Sequence, residues 1–162
     1  MLVIKTIKEL KKYRQELKQA SKSLALVPTM GALHEGHLSL VRLAQKEADI
    51  IGLSIFINPL QFGVGEDFSK YPRDLEADLD KLKALDVDFV FCPSLIEMNV
   101  SSAKVLKADP KLSQVLCGLY REGHFDGVVT IVNYLFELVE PDCAVLTESL
   151  SSSAAFDYRR DD

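Results

Sequence analysis

The chain has 162 residues, a length that suits one domain burying roughly two-thirds of its unfolded surface. It is 48% hydrophobic with a net charge of −5, an ordinary balance for a soluble globule and a poor one for nucleic acid, whose binders carry basic patches. No basic region followed by an apolar run opens the sequence and nothing approaches a membrane span, so a cytoplasmic protein is expected.

Leu2-Val3-Ile4 reads as a first strand, and Thr6-Ile7-Lys8-Glu9 as a capping box opening a helix to about Ala20. A short apolar strand, Leu24 to Val27, precedes a helix that follows His37 and runs to about Ala48, with Leu38, Val41, Leu43 and Ala44 on its apolar stripe. Ile50 to Ile57 is a strong buried strand. The loop from Asn58 to Tyr71 is long and polar, and loops of that kind often carry function. Pro72 suits a helix start, with Leu75, Leu79, Leu82 and Leu85 as core positions, and Asp88 to Phe91 is the next strand, ended by Pro93. Beyond it come an expected edge strand at Ala103 to Leu106, a short helix opened by Asp109-Pro110, and an apolar helix from Gly127 to Leu138 that ends near Glu140-Pro141. Ala144-Val145-Leu146 reads as the last strand. The tail from Thr147 to Asp162 has few core-forming residues and is expected to be disordered or non-native. Alternating strands and helices predict a doubly wound parallel α/β sheet, whose ligands bind beyond the carboxyl ends of the strands. Cys92, Cys117 and Cys143 are odd in number and widely spaced, which favours buried thiols over disulfides or a metal site.

The stretch Val27-Pro28-Thr29-Met30-Gly31-Ala32-Leu33-His34-Glu35-Gly36-His37 lies between strand and helix. Two histidines three residues apart share one face at a helix start, beside amides without intrahelical partners, and such a terminus attracts phosphate. Gly31 and Gly36 remove Cβ atoms that would keep a phosphate from the backbone. The reading is a triphosphate cradle with two imidazoles aimed at it. It is not a P-loop, since no Gly-Lys-Ser/Thr follows. An isolated His-x-x-His is ordinarily a surface pair, and a zinc site would need a third ligand where the only other histidine is His124.

Taken with four further motifs, these residues closely resemble the pantothenate synthetase (pantoate–β-alanine ligase) family. The other motifs are Ile55-Phe56-Ile57-Asn58-Pro59-Leu60-Gln61-Phe62; Asp67-Phe68 with Tyr71-Pro72-Arg73; Leu116-Cys117-Gly118 with Arg121 and Gly123-His124-Phe125; and Val139-Glu140-Pro141-Asp142. The resemblance runs from residue 1 to about 146 in the family's order and spacing. It implies a Rossmann-like domain of the nucleotidylyl-transferase superfamily that uses ATP with Mg²⁺, pantoate and β-alanine, in a homodimer. Pantoyl adenylate and pyrophosphate form first, and the β-alanine amine then displaces AMP. Placed on this sequence, Pro28, Thr29, Met30, Gly31, Ala32, Leu33, His34, Glu35, Gly36 and His37 would line the ATP site. His37 would donate a proton to the transition state or stabilise it, with His34 beside the phosphates. Gln61 would bind pantoate and help place β-alanine, with Asn58 as companion and Tyr71 and His124 as weaker candidates. On residues alone, Asn58-Pro59-Leu60-Gln61 is a turn and His124 serves equally well as a packed helix-end histidine.

The likeness stops near Leu146. Where the family continues with Phe-Gly-Glu-Lys-Asp-Tyr-Gln-Gln, this chain reads Leu146-Thr147-Glu148-Ser149-Leu150-Ser151-Ser152-Ser153, keeping only the glutamate. The phosphate-contacting lysine is Ser149, and the second pantoate-binding glutamine is absent. The family's last strands, its second ATP-binding segment and its C-terminal lid domain have no counterpart, and Glu122 stands where a proline is usual. A reading-frame shift near Leu146 or a truncated fragment with an unrelated tail accounts for the departure, and the gene sequence distinguishes them. Either way, pantothenate synthesis by this polypeptide is expected to be weak or absent. A non-catalytic nucleotide-binding or dimerising fragment is the rival reading.

Overall fold

A computed structural model describes residues 1–63, 68–108, 123–147 and 155–159. In chain order the regular elements are β1 (Leu2–Ile4), α1 (Ile7–Gln19), β2 (Leu24–Thr29), α2 (Glu35–Ala44), β3 (Ile50–Ile55), α3 (Leu75–Lys83), β4 (Phe89–Phe91), α4 (Leu95–Met98), α5 (His124–Val139), β5 (Cys143–Thr147) and β6 (Ala155–Arg159). They form one sheet of order β1-β4-β3-β2-β5-β6, parallel from β1 through β5, with β6 antiparallel at the edge.

Alternation along β2 explains the layers. Leu24 and Leu26 pack with Leu10 and Leu17 of α1 and Ile131 and Leu135 of α5, whereas Ala25 and Val27 pack with Leu40, Val41 and Ala44 of α2 and Leu82 of α3. Both faces of the sheet are therefore covered, as its parallel strands require. From β2 the chain steps through β3 to β4 on one side, then returns through α5 to β5 on the other. That reversal makes the carboxyl end of β2 the switch point of a Rossmann-like, doubly wound α/β sheet.

Several boundaries differ from the expected ones for identifiable reasons. β2 continues through Pro28 to Thr29, because its ladder to β5 stops at Leu26↔Ala144 and Pro28 needs no donor on that side. The same early stop opens the carboxyl end of β2 toward β5. α2 ends at Ala44 rather than Ala48, as Lys46 and Glu47 turn inward with i→i−3 bonds to Leu43 and Ala44. The helix expected from Pro72 starts at Leu75 instead, capped by Asp74, whose side chain accepts from the Ala77 amide at 3.0 Å. α4 was not anticipated; Ser94 caps it.

The segment from Ala103 to Leu106 is not a strand. The Leu106 amide bonds Thr130 Oγ1 at 3.0 Å and the Ala108 amide bonds Asp126 Oδ1 at 2.9 Å, so side chains of α5 take the donors that a neighbouring strand would have used. α5 itself begins at His124, ahead of the expected Gly127. The capping box at Thr6 and Glu9 forms as expected. In the tail, residues 155–159 form β6, antiparallel to β5. The expected helix at Asp109-Pro110, the motif residues Asp67, Leu116, Cys117, Gly118 and Arg121, the replaced proline position Glu122, the retained Glu148 and the substituted positions Ser149 to Ser153 lie outside the described residues. Cys143 is buried and Cys92 half-buried, both as free thiols.

Candidate active site

The two histidines cap their own helix. His34 is the N-cap of α2, and its Nδ1 accepts the Gly36 amide at 3.1 Å. His37 Nδ1 in turn accepts the His34 amide at 3.4 Å, a reciprocal box in which imidazoles do what Ser and Glu usually do. The rings lie 4.1 Å apart, tilted by 50°. Because each Nδ1 is an acceptor, the neutral ring carries its proton on Nε2, the opposite ring edge. Burial pushes the His37 imidazole below its ordinary value, and neighbouring His34 adds to this, while the Asp78 carboxylate partly offsets it. The site thus favours neutral Nε2–H donors over imidazolium at His37.

The backbone of the loop is less available than its sequence suggests. Gly31 donates to Thr29 Oγ1 at 3.2 Å, Ala32 to Asp78 Oδ2 at 2.8 Å, and Leu33 to Asp78 Oδ1 at 2.7 Å. The His37 and Leu38 amides return to the His34 carbonyl. Most of the amides that the sequence offered to phosphate are therefore spent inside the protein, while the imidazole Nε2 atoms stand outside these bonds. The glycines serve the same packing. Gly31 sits at φ +83°, and a Cβ there would stand 3.0 Å from Asp78 Oδ2. A Cβ on Gly36 would come within 2.8 Å of His34 Cε1, so the space it frees holds the His34 ring rather than a ligand.

Gln61 reaches the same place from the next loop. It closes a 3₁₀ turn, Pro59–Gln61, capped by Asn58, and its Nε2 lies 2.8 Å from Met30 Sδ. Asn58 is only 1% exposed. Its Nδ2 donates to Gln61 Oε1 at 3.1 Å and to the Gly127 carbonyl at 3.0 Å, and its Oδ1 accepts the Leu60 amide. Asn58 is thus placed to orient Gln61 rather than to meet a ligand. His124 behaves alike: it is buried, with Nδ1 2.7 Å from the Gln61 carbonyl oxygen. This close approach needs Gly127, since a Cβ there would fall 2.1 Å from the Leu60 carbonyl oxygen. Tyr71 is half-buried with its ring edge-on to Phe62 at 5.9 Å, and burial with the nearby Asp78 charge raises its phenol.

A cavity of about 440 Å³ lies past the carboxyl ends of β2, β3 and β4, with Met30, Gly31, Ile57, Arg73, Asp78 and Cys92 on its walls. Its size is that of a small-molecule pocket. His34, His37 and Gln61 are not among its lining residues, so it meets the histidine site along Met30 and Gly31 only. Among the described residues, no group of three His, Cys, Asp or Glu side chains is arranged to hold a metal, and no helix is long and apolar enough to cross a membrane.

Asp78 was the residue that sequence reading missed. A polar position on the buried face of α3, seven residues after Tyr71, was the available signal. One quoted motif lies away from the site. Asp142 of Val139-Glu140-Pro141-Asp142 sits at the opposite end of the sheet, where it accepts from Arg14 at 3.0 Å and from the Leu24 amide at 2.7 Å.

Comparison with known proteins agrees with this architecture. Residues 2–149 match the family model described as pantoate-beta-alanine ligase. A pantothenate synthetase of Thermosipho africanus is 52% identical over 141 residues, covering 87% of this chain and 51% of the relative, and one of Staphylococcus haemolyticus is 49% identical over 142 residues. The crystal structure of pantothenate synthetase from Thermus thermophilus aligns with TM-score 0.79 at 43% identity, across 89% of this chain and 51% of that one. The pantoate-beta-alanine ligase of Francisella tularensis, complexed with beta-gamma ATP and beta-alanine, aligns with TM-score 0.81 at 36% identity. The chain spans about half the length of the curated relatives it matches. On this match of sequence and fold, the chain belongs to the pantoate-beta-alanine ligase family.

Proposed function

We propose that residues 1–146 form the ATP- and pantoate-binding domain of a pantoate–β-alanine ligase, with the divergent tail after residue 146 limiting its turnover. In the reaction, a pantoate carboxylate oxygen attacks the α-phosphorus of ATP, forming pantoyl adenylate and releasing pyrophosphate. The β-alanine amine then attacks the acyl carbon, forming the amide and releasing AMP. No enzyme nucleophile is needed, so the protein's work is positioning and charge stabilisation.

The observation that carries this reading is the reciprocal histidine cap, which uses Nδ1 of each ring and so leaves both Nε2 atoms outside the cap, in the loop whose Met30 meets Gln61. His37, and His34 beside it, would donate to the phosphate oxygens as charge moves toward pyrophosphate. Met30 to His37 would line the nucleotide, with Pro28 and Thr29 at the strand end. Gln61, whose amide both donates and accepts, would take pantoate and later help place β-alanine. Asn58 and His124 would hold Gln61 in place. Magnesium would arrive on the ATP phosphates. A homodimer acting on pantoate, β-alanine and ATP, without nucleic acid or membrane, completes the proposal.

Pantoate-dependent ATP–pyrophosphate exchange tests it. Slow exchange, far below that of an intact family member, is the expected result. Exchange at the intact enzyme's rate would overturn the proposed limit on turnover. Since the chain spans half of its relatives' length, a second reading stands beside the first: a nucleotide-binding or dimerising fragment without catalysis. Saturable ATP binding without pantoate-dependent exchange favours it.

A further inference from the structure

The turn that carries the two histidines is strained. Gly31 at φ +83° is followed by Ala32 at φ +52°, a left-handed conformation that costs a residue with a Cβ roughly 1–2 kcal/mol. Such a turn persists only where its surroundings over-determine it. Here α3 supplies the determination. Asp78 is 2% exposed, and its two carboxylate oxygens each take one amide, Oδ2 that of Ala32 and Oδ1 that of Leu33. One turn along the helix, Lys81 donates to the Leu33 carbonyl at 2.7 Å and stands 3.9 Å from Asp78 Oδ1. Both backbone polar groups of Leu33 are therefore clamped from α3, and Leu33 is the residue immediately before the His34 cap.

We propose that Asp78, assisted by Lys81, is the positioning residue of the site: it holds the strained 31–33 turn in the one geometry that aims His34 and His37. This rests on the function proposed above and extends it, since it names the group that sets the donors' direction through the loop backbone. Hydrogen bonds to a charged carboxylate are the strong kind, and removing the carboxylate leaves two amides without acceptors behind a turn that prefers to relax. An amide in its place is a poor substitute. Its oxygen serves one N–H, and its NH₂ faces the other donor-to-donor.

The test compares the parent chain with Asp78→Asn and Lys81→Met by NMR of the histidine side-chain nitrogens, which reads tautomer and titration, and by calorimetric titration with MgATP. For Asp78→Asn the Nε2–H tautomers of His34 and His37 should give way to a mixture, and the His37 titration midpoint should fall as the opposing carboxylate charge is lost. ATP affinity should drop roughly tenfold, the loss of one charge-assisted contact. Lys81→Met keeps the carboxylate and should lower affinity about threefold. A lower melting temperature with both tautomers, the His37 midpoint and ATP affinity unchanged would show Asp78 to be merely structural and overturn the proposal. Should Asp78→Asn fail to fold, Lys81→Met decides, and unchanged ring signals and affinity there overturn it equally. If the parent chain binds no ATP where an intact family member does, the function reading fails instead, and the tautomer comparison alone settles the role of Asp78.

Discussion

The two ends of the parallel sheet use similar residues to opposite purposes. At the amino end of the strands, Arg14 of α1 donates through Nε to the Glu140 carbonyl and through Nη2 to Asp142, and Asp142 also accepts the Leu24 amide. Ser23, just before β2, and Asp49, just before β3, likewise exchange bonds. Polar groups there are turned on each other and tie α1, β2 and β5 together. At the carboxyl end, Asp78 and the reciprocal cap consume the backbone amides and Gln61 is held between Asn58 and Met30, while the Nε2 atoms of His34 and His37 take no part in the cap. What distinguishes the two ends is not their content of polar residues. It is whether each network closes on itself or, like the histidine cap, leaves ring nitrogens outside it.

Substitutions at each end should separate these purposes. The largest effect belongs to Arg14→Ala, which removes a buried cation and should cost about 2–4 kcal/mol in urea unfolding, with ATP binding unchanged in the folded fraction. Asp142 is 46% exposed, so screening weakens the charge attraction, and the cost comes mostly from lost packing and from the hydrogen bonds lost to the Glu140 carbonyl and the Asp142 carboxylate. A loss of ATP affinity in the folded fraction would break the comparison.

His37→Ala should do the reverse. ATP affinity, read by calorimetry, should fall about ten- to a hundredfold, whereas stability should drop by no more than about 1 kcal/mol, the worth of one cap bond. A large stability loss with intact affinity would make the histidine pair a cap and nothing else. Asn58→Ala lies between the two kinds, since it frees the Leu60 amide and unties Gln61. It should cost about 1–2 kcal/mol in stability and weaken pantoate-dependent effects more than ATP binding alone.

The smallest effect is a pH dependence. The folded-state value of His37 lies below the ordinary 6.5, so between those values the unfolded chain binds a proton that the folded chain does not. Stability from this source is complete above pH 6.5 and is lost as pH falls through the lower, folded-state value. Denaturant midpoints taken from pH 7.5 down to 5 should show a decline that His37→Gln flattens. An unchanged slope in that variant would place the titration elsewhere.

Much of this was legible in the sequence because it is local. Thr6 and Glu9 cap α1 within one turn of chain, and Leu75, Leu79 and Leu82 declare a helix by their spacing alone. The cradle was readable as a strand–turn–helix with paired histidines, and Gln61 through its motif. Less visible was which way backbone donors face. The segment at Ala103 to Leu106 looks like a strand, yet Thr130 takes the Leu106 amide and Asp126 that of Ala108 just beyond, both from some twenty residues on.

By itself, then, the sequence determined the α/β alternation, the family and the loop that bears the histidines, since periodicity, capping and motif order are properties of neighbouring residues. Tertiary structure alone decided that Asp78 fills the space behind that loop, that Asn58 and His124 hold Gln61 from within, and that Asp142 serves the far end of the sheet. The reason is physical. A hydrogen-bond donor is committed by whichever acceptor the fold brings to it, and the acceptors here come from 45 and 46 residues away for the loop and 128 for Arg14.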